Sequence, residues 1–232
     1  MADITLLATA DWDQLLWTNK QHVASEFADL GHRVLYIESL GLRAPRRQAK
    51  DLGRILRRLL KGLRPPRQVK PNLWVWSPLV LPGARGELIT RLNRSILLGG
   101  LALARRWLGL RAELLWTYNP KTLAYGLPGP YEILVYHCVD DIQAQPDMDD
   151  PDLSAWEERL CRAAELVFVT SPALQESRRR FNSNTHYFSN VADHAHFAQA
   201  LSPELEIPCD IAAIPRPRIG FVGAISAYKL DL

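Results

Sequence analysis

The chain is 232 residues long and 47% hydrophobic, enough to bury a substantial core, and its 28 basic against 25 acidic residues leave only +3. So small a net charge gives no electrostatic case for a nucleic-acid partner, and none is expected. Three separated cysteines, Cys138, Cys161 and Cys209, form neither a disulfide framework nor a CxxC zinc motif. With no apolar run of about 18 residues and no basic-then-apolar leader, the expected location is the cytoplasm.

An apolar strand over Ile4 to Ala8 opens the chain and leads into the polar-aromatic loop Thr9 to Gln14. An amphipathic helix through His22, Ala24, Phe27 and Leu30 follows, with Gly31 suited to a left-handed cap, and then a second strand, Arg33 to Glu38. Strand, helix, strand is a βαβ unit, which requires a parallel sheet covered by helices. The alternation continues with a strand at Leu73 to Trp76 and a helix from Leu88 to Trp107 interrupted at Gly99-Gly100. Next come strands at Leu114 to Thr117 and Ile133 to His137 and a helix at Trp156 to Ala164. A strand at Leu166 to Thr170, a helix at Pro172 to Arg180 and a short strand at His186 to Phe188 close the series. The predicted fold is α/β: a Rossmann-like, doubly wound, mainly parallel sheet with helices on both faces. Residues 1–212 form this domain, with a basic insertion at 43–70. The prolines at 203, 208, 215 and 217 mark a linker, and residues 213–232 read as the linker's end and the start of a second domain, Arg218 to Ile225 being its first strand. Because Leu232 follows with no helix after that strand, a truncated second domain is expected.

The insertion holds eleven basic residues and the single acid Asp51. Leu52, Ile55, Leu56, Leu59, Leu60 and Leu63 recur at helical spacing, with Arg54, Arg57, Arg58, Lys61 and Arg64 mainly opposite. Two readings stay open over 51–64: a helix packed on the sheet with solvated arginines, or a peripheral contact with an anionic membrane on the inner face of the cell membrane.

In open parallel sheets ligands collect beyond the carboxyl ends of the strands. That rule selects Asp11, Trp12 and Asp13 after the first strand, Tyr118 and Asn119, the run His137-Cys138-Val139-Asp140-Asp141, Ser171, and Asn190. Such a mixture of imidazole, carboxylates, hydroxyls and amides suits sugar hydroxyls, and an imidazole or carboxylate can orient or deprotonate an attacking hydroxyl. His137 is the candidate catalytic group and the others candidate substrate contacts, although a histidine satisfied at the sheet and acids serving as caps fit the same positions. No metal cluster of convincing spacing is present, so no metal is assigned. Glu157 and Glu165 match an E-x7-E spacing but lie on a helix entering a strand of the first domain, and the match is set aside. No GxGxxG follows the first strand, and the acids there oppose a pyrophosphate. A phospho-acceptor domain fails on order, because its acid pair would follow the first strand.

Several segments in series resemble the N-terminal half of GT-B glycosyltransferases, in particular the retaining group called family 4. They are Gly31 to Tyr36, Leu115 to Pro120, Val135 to Asp141, Ala164 to Ser171, Ser189 to Asp193 with Phe197, and Pro217 to Ile225. The resemblance is nearest to enzymes of bacterial surface-polysaccharide synthesis, including teichuronic-acid glycosyltransferases. It implies a transferase that moves sugar from a nucleotide-sugar donor to a glycan or lipid-linked acceptor, retaining configuration and using no metal or separate cofactor. It implies that His137 lies near the transferred sugar, that Thr9 to Gln14 approach donor and acceptor, and that Asn190 belongs to an "NGVD"-like turn in which Val191-Ala192 replace the usual pair. Gly223 and Lys229 resemble the phosphate-binding start of the second domain, with Ala224 and Leu230 departing from the usual arginine and glycine. Without a donor half, these residues are expected to be inactive alone. The alternative from the residues is a non-catalytic glycan-binding or membrane-docking module.

Overall fold

The computed structural model describes residues 1–40, 61–79, 87–145 and 150–221, which fall into two compact units divided between Ser189 and Asn190. The first unit is built on eight strands: β1 (Asp3–Leu7), β2 (Arg33–Ile37), β3 (Arg67–Lys70), β4 (Leu73–Trp76), β5 (Leu114–Thr117), β6 (Ile133–Cys138), β7 (Leu166–Val169) and β8 (Thr185–Tyr187). They lie side by side in the order β3-β4-β2-β1-β5-β6-β7-β8. Every neighbouring pair is parallel except the edge strand β3, which runs antiparallel to β4 with a register shift between Gln68 and Lys70. Strands are added outward from β1 first on the β2 side and then on the β5 side, and this switch in order makes the sheet doubly wound.

Side-chain alternation along the strands divides the core between the two faces. Ile4, Leu6, Val34, Tyr36, Leu73 and Val75 pack with Ala24 and Ala28 of α1 (Asn19–Asp29) on one side. Leu7, Leu35, Ile37, Leu115, Leu134, Tyr136 and Val167 pack on the other, against α2 (Glu87–Leu108), α3 (Leu153–Ala163) and α4 (Pro172–Arg179). Parallel strands covered on both faces must be apolar at consecutive positions, and Val34 to Ile37 are all fully buried.

Gly31 ends the α1 turn at φ +87°, the left-handed conformation expected of it. The predicted break at Gly99-Gly100 is not there: α2 runs unbroken from Glu87 to Leu108, burying Leu97, Leu101 and Ala104. Gly100 is instead where the helix closes on the sheet, since a Cβ there would stand 2.9 Å from the Trp76 ring. The edge strand β3 was not anticipated, because its residues read as the end of the basic insertion. Its edge is heavily charged, with Arg67 bound to Asp13 and Lys70 to Asp29. Most of the predicted amphipathic helix, residues 51–60, lies outside the described residues; Lys61 and Gly62, at its end, are helical and Lys61 pairs with Glu38.

Of the second unit, residues 190–221 carry the short helices α5 (His194–Ala198) and α6 (Cys209–Ala212). Asp193 caps α5, its Oδ1 accepting from His196 N at 3.0 Å, as a short acceptor at an N-cap should. No described helix is long and apolar enough to cross a membrane.

Candidate functional site

The carboxyl ends of β1, β5, β6 and β7 are adjacent in the sheet, so the segments that follow them converge. At their centre is His137, the penultimate residue of β6. Its Nδ1 lies 3.2 Å from the Tyr118 hydroxyl, and the two rings are 4.8 Å apart between centroids. Trp116 and Phe168, on the flanking strands, approach the imidazole edge-on at 5.6 and 6.2 Å. Burial, followed by the positive charge of Lys20, pushes the His137 imidazole down to about 4. At neutral pH it is therefore an uncharged ring that can both donate and accept a hydrogen bond. Burial raises the Tyr118 hydroxyl well above its ordinary range, so that group stays protonated.

Lys20 was not singled out from the sequence, where a lysine in a first helical turn reads as a solvated residue. In the structure it is only 8% exposed, with its ammonium 5.6 Å from the centre of the Tyr118 ring. Burial lowers its proton affinity, and Asp140 acts in the opposite direction. Among the described residues no hydrogen bond or ion pair to the Lys20 ammonium is found, and Nζ is not one of the fully buried unpartnered atoms, so the buried stem delivers the charge to the solvent edge.

The other expected contacts divide between the exposed carboxyl edge and the scaffold. Asp11 is exposed, and its backbone carbonyl accepts from Gln21 Nε2 at 2.9 Å, tying the first loop to α1. Trp12 is buried: its amide donates to Glu38 Oε1 at 2.9 Å and its ring packs on Trp17 and Tyr36 at 4.8 and 5.1 Å. Asp13 is bound by both oxygens to Arg67 at 2.6 Å. Asn119, 1% exposed, builds the turn after β5: its Oδ1 accepts from Lys121 N at 2.9 Å and its carbonyl from Thr122 N at 3.1 Å. Ser171 caps α4, its Oγ accepting from Leu174 N at 3.2 Å. Asp140 is exposed, and Asp141 lies 3.5 Å from the Arg178 guanidinium. Asn190 belongs to the second unit, and Gly223 and Lys229 lie outside the described residues. Among the described residues no group of three or more His, Cys, Asp or Glu side chains is arranged to hold a metal ion.

Directly beneath the His137 segment is a buried ionic cluster that the sequence disguised. Glu157 on α3 and Arg178 on α4 are 5% and 9% exposed and meet at 2.9 and 3.0 Å. Glu157 Oε1 also accepts from the Tyr136 hydroxyl at 2.7 Å, and Oε2 from Gln143 Nε2 at 3.3 Å. The second acid of the E-x7-E spacing, Glu165, accepts from the Leu134 amide at 2.6 Å. Both acids are thus occupied in holding β6 and the loop after it. Cys138 and Cys161 are buried next to this cluster, and burial pushes both thiols up to about 12.

No family model matches the chain, and no curated protein matches it either. Among solved structures it is similar to sucrose-phosphate synthase from Thermosynechococcus elongatus, with a TM-score of 0.54 and 13% identity. The match takes in 87% of this chain and 52% of that one, so the chain spans about half the length of its structural neighbour. At that identity the likeness shows a shared backbone architecture alone: this chain has a Rossmann-like α/β fold in common with part of that synthase.

Proposed function

We propose that this chain is the acceptor-side half of a two-domain glycosyltransferase that uses a nucleotide-sugar donor. Residues 1–212 form that half, and residues 213–232 lead into a donor-binding domain that supplies Gly223 and Lys229 to the donor phosphates. The observation that carries this reading is His137 at the carboxyl edge of the sheet, its Nδ1 3.2 Å from the Tyr118 hydroxyl, with the exposed Asp11 and Asp140 on the segments after β1 and β6. With Nδ1 turned to Tyr118, Nε2 is left to meet a sugar hydroxyl, and the exposed carboxylates can accept from neighbouring hydroxyls. The likeness to one half of a sugar-transferring enzyme supports the same reading. The acceptor is a surface polysaccharide or a lipid-linked glycan, and transfer retains configuration without a metal, as in family 4. The reaction takes place in the cytoplasm, with the basic residues of 51–64 held against the anionic inner face of the membrane.

Acceptor binding in this half is testable on the chain as it stands. Saturation-transfer NMR against a panel of neutral and acidic oligosaccharides is expected to show bound sugar protons that vanish in His137→Ala. Equal sugar signals from the variant, or none from either protein, would remove His137 from the acceptor site.

A further inference from the structure

Lys20 carries information that the transferase reading does not use. It lies in the first turn of α1, an eleven-residue helix with no acidic residue in that turn, so the helix adds positive potential where the ammonium emerges. The side chain is 8% exposed, and among the described residues the ammonium has neither a hydrogen bond nor an ion pair. The ammonium stands 5.6 Å from the centre of the Tyr118 ring, a weak contact for a cation. Among the described residues Asp140 is the acid that acts on it, without forming an ion pair. Lys20 and His137 both face Tyr118, the first over its ring and the second at its hydroxyl.

We infer that Lys20 binds an oxyanion, a phosphate or a carboxylate, carried by the substrate whose hydroxyls meet His137 and Tyr118. An ammonium donates three hydrogen bonds, and a ligand oxyanion would meet that capacity where the protein does not. The ligand's charge would offset the burial that now lowers the lysine's proton affinity, so binding strengthens protonation of Lys20 and weakens at high pH. Because the neutral imidazole lies beside the cation, the substrate is divided into an anionic end at Lys20 and a hydroxyl end at His137. The assignment to a substrate rests on the transferase reading; the oxyanion site itself does not.

Inorganic phosphate and acetate are the probes, titrated separately into the isotope-labelled chain at constant ionic strength and followed by NMR. The expected result is saturable movement of the Asn19 to Gln21 amides and of the His137 ring with at least one of the two, the better ligand distinguishing a phosphoryl from a carboxyl group. Lys20→Gln is expected to weaken that affinity at least ten-fold, Lys20→Arg to retain most of it, and Asp140→Asn to strengthen it. If Lys20→Gln fails to fold, Lys20→Met, which preserves the buried stem, takes its place. Absence of saturation with both anions, or affinity unchanged by loss of the ammonium, would overturn the site and leave Lys20 as a cation resting on Tyr118. Phosphate binding through Lys20 in a protein that never transfers sugar would sink the transferase reading alone.

Discussion

Replacing Glu157 by alanine removes one carboxylate and leaves four groups without their acceptor. Arg178 loses contacts at 2.9 and 3.0 Å, and the Tyr136 hydroxyl, Cys138 thiol and Gln143 amide lose theirs at 2.7, 3.5 and 3.3 Å. Arg178 is 9% exposed, so its charge cannot simply return to water. Deleting one partner of such a pair destabilises a protein by about 3–5 kcal/mol. Asp141, 3.5 Å from the guanidinium but half exposed, offers partial relief and places the expected loss near the lower end, at about 3 kcal/mol. The double replacement Glu157→Leu with Arg178→Met removes both charges together and is expected to recover much of that loss, since paired apolar substitutes avoid the desolvation penalty. Urea unfolding followed by tryptophan fluorescence measures the parent, Glu157→Ala and the double variant, with the midpoint compared at constant slope. A Glu157→Ala variant within about 1 kcal/mol of the parent would refute the idea that this pair is desolvated and holds β6 against α3 and α4.

Three further outcomes follow from single sites. Gly100→Ala sets a Cβ 2.9 Å from Trp76 and is expected to destabilise the fold by about 1–3 kcal/mol, whereas Gly99→Ala meets no atom within 4 Å and is expected to stabilise the helix by up to about 1 kcal/mol; thermal unfolding of the two variants checks the contrast. His137 has its proton affinity lowered in the fold, to about 4 from an ordinary 6.5, so its neutral form favours the native state and that stability is lost as pH falls from 6.5 through 4. The loss should approach about 3 kcal/mol and be absent in His137→Asn, and a ring titration near 6.5 by NMR would contradict it. Cys209 is exposed, while Cys138 and Cys161 are buried with raised thiol values, so one thiol should react rapidly with Ellman's reagent in the native protein and none in Cys209→Ser.

The sheet was legible because buried parallel strands leave apolar runs, as in Val34 to Ile37 and Leu166 to Val169, separated by helical spacing. The edge strand β3 was not, since a strand exposed at the edge of a sheet can be as basic as Arg67-Gln68-Val69-Lys70 and sends no apolar signal. Gly99-Gly100 looked like a break because sequence records the low helix propensity of glycine but not the Trp76 ring waiting beneath one of the pair. At the carboxyl edge of the sheet, His137 and Tyr118 could be found from their places at the ends of apolar strands. Trp12, Asn119 and Ser171 stand at equally favoured positions, yet their polar groups serve the loops and caps that hold the edge together. Nothing local separates those two outcomes, because each depends on partners distant in the chain. Lys20 and Arg178 show the same limit from the other side: their burial comes from Tyr118 and from Glu157, residues 98 and 21 positions away.

Sugar transfer by the intact gene product tests the central proposal most directly. The full-length protein would be expressed, and release of nucleoside diphosphate from a panel of nucleotide sugars followed with and without glycan acceptors. The expected result is a second α/β domain and acceptor-dependent release that falls at least about 100-fold in His137→Ala, while residues 1–232 alone are inactive. Full transfer by the 232 residues alone, or a complete gene product that leaves every nucleotide sugar intact, would contradict it.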